Sequence, residues 1–193
     1  MVNWAKILVV AILAISIPKP SKASDLRVGA LGGIGQANAR ETGNYTEGPI
    51  GTEFFADYAS TSRFSIGGKH TRSWTTNLGS SVSTTMLNIK YYLNNDIPTG
   101  YDKSEDILAS TFEKRSHAIF IGISLGFAQS SVRPSESGLS ASAVGVAGGG
   151  TAGFDWQIFE NAGVRLSSSV ELTFIGVGQI TIIFGGAGFY LNF

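Results

Sequence analysis

Apolar side chains return at every second position in one run of this sequence after another. In the run 164–176, Val164, Leu166, Val170, Leu172 and Phe174 share a face, and Arg165, Ser167, Ser169, Glu171 and Thr173 share the other. The run 118–129 sets Ile119, Ile121, Ile123, Leu125 and Phe127 against Ala118, Gly122, Ser124, Gly126 and Ala128. Leu87, Ile89, Tyr91 and Leu93 oppose Asn88, Lys90, Tyr92 and Asn94, and Phe154, Trp156 and Ile158 oppose Asp155 and Gln157. Successive side chains of a strand point to opposite sides, so this period marks strands with one apolar face and one polar or small face.

Eight such runs are predicted, at 26–37, 50–58, 63–74, 84–93, 118–129, 143–159, 164–176 and 181–193. Polar loops fill 39–48, 75–83 and 130–142, and short turns fill 59–62 and 160–163. A long charged connection occupies 94–116. Within it, Ser104-Glu105-Asp106 ahead of Ile107, Leu108 and Phe112 fits a short capped helix. Two readings of that connection stay open, a plug or partner-binding segment and a solvated flap.

The first residues read differently. Lys6 precedes an uncharged apolar stretch, 7–17, closed by Pro18 and Pro20. A spanning helix needs roughly 20 apolar residues, so the stretch fits the core of a signal peptide, with Ser21 and Ala23 as the small residues read at cleavage. The expectation is a signal peptide at 1–23 and a single barrel domain at 24–193. Cysteine is absent, which excludes disulfides and a lipid anchor on an N-terminal cysteine. No other window approaches the length of a membrane helix. A chain that enters a bilayer without helices must do so as a closed barrel, which alone pairs every backbone polar group.

Periodicity alone does not decide which face is inside. A water-soluble barrel puts the apolar face inward and a membrane barrel inverts it. The polar faces here are built of Gly, Ala and Ser with a few charges, which suits a cramped interior, and Gly29, Gly33, Gly35, Gly122, Gly126, Gly149 and Gly153 fall on them. The apolar faces carry aromatics near strand ends, at Tyr58, Trp74, Tyr91, Trp156 and Phe193, as in the girdles of membrane barrels. Both features favour an all-β, closed, antiparallel, eight-stranded transmembrane barrel.

Several segments carry a resemblance: Val28-Gly29-Ala30-Leu31-Gly32-Gly33, Leu87-Asn88-Ile89-Lys90-Tyr91-Tyr92-Leu93, Gly153-Phe154-Asp155-Trp156, and the aromatic end Phe189, Leu191, Phe193. Together they make the chain from Ser24 onward resemble small eight-stranded outer-membrane proteins of the OmpX, OmpW and OmpA-barrel type. The resemblance implies location in the outer membrane of a Gram-negative bacterium, with lipid and the barrel-assembly machinery as partners and Phe189, Leu191 and Phe193 as the assembly signal. It also implies periplasmic termini, and so a periplasmic 94–116 connection. That segment departs from the pattern, because periplasmic turns are usually short.

Assigning the faces places Arg27, Glu53, Asp57, Lys69, Lys90, Asp155, Arg165 and Glu171 in the lumen. Buried charges must be paired or hydrated, so the set reads as a sealing network or as a polar path for a small solute. Ile182, Phe184, Ile175, Phe55 and Phe120 are also expected to face inward, and they favour a narrow carrier of small hydrophobic solutes, as the OmpW resemblance allows. Eight strands leave room only for side chains, which argues against an open porin. A lipid-modifying enzyme is the third reading. Its histidines would be His70 and His117, yet neither sits in a lipase or acyltransferase motif. No metal spacing and no phosphate loop appear, so no cofactor is expected. Loss of Lys6, Lys19 and Lys22 takes the balance from 14 basic against 14 acidic residues to 11 against 14, the wrong sign for a nucleic-acid binder. The three polar loops would face outside the cell, open to a surface partner.

Overall fold

The computed structural model describes residues 26–39, 45–47, 50–61, 63–74, 81–94, 117–132, 141–159, 162–175 and 178–193. The expected signal peptide, with Ser21 and Ala23, and nearly all of the 94–116 connection lie outside the described residues.

Every described element is a strand: β1 (Leu26–Ala39), β2 (Tyr45–Glu47), β3 (Ile50–Ala59), β4 (Phe64–Trp74), β5 (Ser81–Tyr92), β6 (His117–Val132), β7 (Ala141–Phe159), β8 (Ala162–Ile175) and β9 (Gly178–Asn192). All neighbours are antiparallel, and β1 also pairs with β9 from Arg27↔Asn192 to Ala39↔Ile180. That pairing closes the sheet, so no spanning strand is left with an open edge. The short β2 pairs only with the far end of β1, beyond the point where β3 leaves it at Ile34↔Ile50. Eight spanning strands therefore form the wall, as the alternation requires.

The strands outrun several expected boundaries. Part of the expected loop 39–48 is strand, since β1 continues to Ala39 and is met by Tyr45–Glu47. Ser81 to Ser83, expected in a loop, pair with β4 and β6. β6 and β7 stay paired out to Val132↔Ala141, β8 begins at Ala162, and β9 begins at Gly178. The cause is common to all. In a closed sheet each added residue pair satisfies backbone donors and acceptors, so polar Ser- and Thr-rich stretches without hydrophobic alternation remain in the ladder.

The wall is inverted relative to a water-soluble protein. Leu87, Ile123, Leu125, Phe127 and Phe189 point outward and are 68–74% exposed, whereas Arg165, Asp155 and Glu171 are at most 1% exposed. Tyr58, Trp74 and Trp156 also face outward near strand ends. From Phe64 to Trp74, β4 counts 11 residues. At ~3.3 Å per residue and a tilt of ~40° it rises about 25 Å, the height of the apolar band of a membrane barrel.

Inside, the glycines make room for rings. Gly29 is the register partner of Phe55, and Gly153 of Phe120. A Cβ on Gly29 would strike the Phe55 ring, and one on Gly153 the Phe120 ring. Each ring lies across its partner strand where no side chain stands, the arrangement by which aromatics stabilise strand glycines. Gly32 faces outward with nothing within 4 Å of its Cβ position. Gly29→Val and Gly153→Val are each expected to cost about 1–3 kcal/mol through overpacking, while Gly32→Val is expected to be neutral. Urea midpoints of the barrel folded into lipid vesicles check this contrast.

Candidate functional site: the lumen charge network

All eight residues of the expected charge set face the lumen and are at most 5% exposed. They fall into two layers.

The layer near the chain termini is centred on Asp155 and Arg165, which are register partners on the β7–β8 hairpin. Arg165 grips Asp155 with two bonds, Nε to Oδ1 at 2.6 Å and Nη2 to Oδ2 at 2.8 Å. This bidentate geometry is the strong form of a charge-assisted bond. Asp155 Oδ2 also accepts from Arg27 Nη1 at 2.6 Å and from the Tyr92 hydroxyl at 2.8 Å. The remaining reach of Arg165 goes to Asp57, where Nη1 donates to Oδ2 at 2.9 Å. The same oxygen accepts from Lys90 Nζ at 2.6 Å. Arg27 Nε donates to Asn192 Oδ1 at 3.1 Å.

Aromatic rings complete the layer. The Arg165 guanidinium lies 3.9 Å from the Phe55 ring centre and 4.9 Å from that of Phe120, and Arg27 lies 4.5 Å from that of Tyr190. Cations over ring faces are favourable, more so when desolvated. Phe55 and Phe120, expected as apolar lining for a solute, are instead packed against cations.

The second layer lies farther along the strands. Lys69 Nζ donates to Glu171 Oε1 at 2.7 Å and lies 3.8 Å from Glu53 Oε2. Thr84 Oγ1 donates to Glu171 Oε2 at 2.9 Å, and Thr71 Oγ1 reaches Oε1 at 3.4 Å. Lys69 belongs to β4 and Glu171 to β8, and three spanning strands separate them in either direction around the wall. Their ion pair therefore runs across the full diameter of the barrel. Beyond it, Met86, Ile182 and Phe184 are at most 2% exposed, and Ile175 packs against Met86, Ala128 and Ala147.

The partnering of Tyr92, Asn192, Thr71, Thr84 and Asn88, whose Nδ2 donates to Asp57 Oδ1 at 3.4 Å, is new relative to the expected charge set. Their position on the polar face is readable from the alternation, but counting charges alone passes over them. Phe189, Leu191 and Phe193 are exposed on the outward side. His70 also faces outward, its Nδ1 2.9 Å from Thr85 Oγ1. The ring of His117 lies 5.9 Å from that of Phe154. Neither histidine is part of the lumen network. Among the described residues no group of His, Cys, Asp and Glu is arranged to hold a metal.

Neisserial surface protein A has the same fold, with a TM-score of 0.66 at 13% identity, covering 90% of this chain and 100% of that one. Ail, the attachment invasion locus protein of Yersinia pestis, gives 0.49 at 12% identity over 88% and 99% of the two chains. The N-terminal β-barrel domain of OprF from Pseudomonas aeruginosa gives 0.48 at 14% over 89% and 100%. No protein-family model and no curated protein matches the sequence. The chain thus has the closed eight-stranded fold of small outer-membrane barrels, and at this level of identity the likeness speaks for the fold alone.

Removing one partner of a buried ion pair leaves an uncompensated charge, which costs about 3–5 kcal/mol. Lys69→Met is expected to destabilise the barrel by that amount, because Glu171 and Glu53 lose the cation between them. The double variant Lys69→Met/Glu171→Met is expected to lose less than the sum of its single variants. A double-mutant cycle on urea midpoints in vesicles measures the coupling.

Proposed function

We propose that this chain is an integral protein of a bacterial outer membrane, closed to solutes, with a structural or surface-contact role. The outward apolar band supports the membrane location: so large an exposed apolar surface is not stable in water, and its height matches a bilayer core. The observation that carries the closed reading is the Lys69–Glu171 ion pair, 2.7 Å long across the barrel diameter. With the Asp155–Arg165 layer below it, two charged barriers stand in series. A solute crossing them would have to break paired charges in a low-dielectric interior, a cost of several kcal/mol per ion.

The chain is read as non-enzymatic. His70 is committed to Thr85 on the outward side, and among the described residues neither histidine shares the lumen with the carboxylates. With the lumen sealed, contact with other molecules falls to the outward wall and to the loops at the end opposite the chain termini.

A competing reading is a narrow carrier for small hydrophobic solutes. It draws on the apolar lumen residues Ile182, Phe184 and Met86, which are at most 2% exposed and fill their own space. Conductance of the folded chain in planar lipid bilayers separates the two. Silence is expected from protein shown by its shifted gel mobility and protease protection to be inserted. Steady, reproducible single-channel steps would overturn the sealed reading in favour of transport.

A further inference from the structure

Among the described residues of the eight spanning strands, one charged side chain lies outside the lumen. Arg72 of β4 points to the same side as Phe64, Ile66 and Trp74 and is partly exposed there. A cation facing lipid costs about 2–4 kcal/mol at the midplane and about 0–1 kcal/mol near an interface. The height of Arg72 settles which applies. It lies two residues short of Trp74, about 5 Å nearer the band's centre at ~3.3 Å per tilted residue. This is the end of the barrel opposite the chain termini, where headgroups meet the hydrocarbon.

Its neighbours along the outward wall are polar and uncharged. Thr52, Arg72, Ser83 and Gln129 are successive register partners across β3, β4, β5 and β6, and all four share the outward phase. One row closer to the centre stand His70 and Thr85, linked at 2.9 Å. No carboxylate faces outward among the described residues of the spanning strands. The Arg72 guanidinium lies 5.2 Å from the Trp74 ring centre, and its Nε–H has no hydrogen-bond partner among the described residues. An unpaired arginine donor away from water is costly. A small outward turn of the side chain towards an anion relieves that cost and makes a charge-assisted bond.

We infer that this four-strand patch binds the phosphate headgroup of an outer-leaflet phosphorylated glycolipid, with Arg72 as the phosphate ligand and the hydroxyl and amide side chains beside it as further donors. The inference rests on the outer-membrane reading above. Charge complementarity selects the occupant: an outward cation among neutral donors, with no acidic side chain facing it, at headgroup depth on a wall whose other neighbours are acyl chains. Arginine suits the task because its planar fork matches phosphate oxygens and its stem can lie along the apolar wall.

The test uses the full mature chain folded into nanodiscs, with insertion verified first by gel mobility. Discs contain either a phosphorylated glycolipid or its enzymatically dephosphorylated form in a zwitterionic background, and lipid retained on the barrel is counted by native mass spectrometry. Preferential retention of the phosphorylated form is expected. Arg72→Gln is expected to reduce that preference about tenfold, the loss of one charge-assisted contact, with the unfolding midpoint little changed, and Arg72→Lys to restore part of it. An inserted wild-type barrel that holds both lipids equally overturns the inference whether or not the variants fold, and leaves the outer-membrane reading intact. A chain that does not enter the bilayer overturns both.

Discussion

An eight-stranded barrel encloses a space that side chains fill, with no room for a solvated interior. Each charge pointing inward must therefore find its partners within the lumen, and the architecture follows from that requirement. Asp155 and Arg165 sit opposite each other on one hairpin, yet their remaining bonds reach Arg27 on β1, Asp57 on β3 and Tyr92 on β5. The Lys69–Glu171 layer ties β4 to β8. β6 contributes no charge and joins through Phe120, which lies under Lys90 and Arg165. β9 joins through Asn192 and Tyr190 beside Arg27, so all eight spanning strands contribute to a common interior, and several of its bonds run as chords in addition to the ladder that joins neighbours along the wall.

The two layers carry opposite imbalances. Arg27, Lys90 and Arg165 face Asp57 and Asp155 in one, and Lys69 faces Glu53 and Glu171 in the other. Neither is neutral alone, and the pair together is. Phe55 stands on β3 between Glu53 and Asp57 and keeps the layers apart while its ring takes up the cations above its face. A buried ion pair often contributes little net stability compared with apolar packing. What this network supplies instead is register. A slip of one strand by one residue would move its charges to the lipid side, away from their lumen partners.

That dependence explains how much is legible in the sequence. A strict two-residue phase, once the inside is chosen, assigns every side chain to a face, and so the eight lumen charges are readable from alternation alone. Their partners are not. Arg27 and Asp57 are opposite each other in the β1–β3 ladder, but each forms a 2.6 Å ion pair with another residue, Arg27 with Asp155 and Asp57 with Lys90. Chords across a barrel depend on tilt and stagger, which periodicity does not encode. Strand ends are hard to place for a related reason: Ser81 to Ser83 carry no hydrophobic alternation, and only the neighbouring strands' unpaired backbone keeps them in the sheet. Arg72 does not stand out in the sequence because a single polar residue on an apolar face looks like an imperfection of the pattern.

On the closed reading proposed above, specificity cannot reside in a solute path. In a channel the inner residues meet the solute and the outer wall only has to be greasy. Here the inner residues are spent on one another, so any selective contact must be made by the rim or by the wall itself. The wall from β6 to β9 is mainly apolar and carries no charge among its described residues, presenting Ile123, Leu125, Phe127, Val170, Leu172 and Phe174. The wall from β3 to β6 at headgroup height does, in the row Thr52, Arg72, Ser83 and Gln129. A uniform band would serve insertion equally well and would avoid placing a cation against lipid. The polar row is therefore unexplained by insertion alone, and a headgroup that bonds to it turns the one costly outward residue into an anchor that fixes how the barrel sits among its lipids.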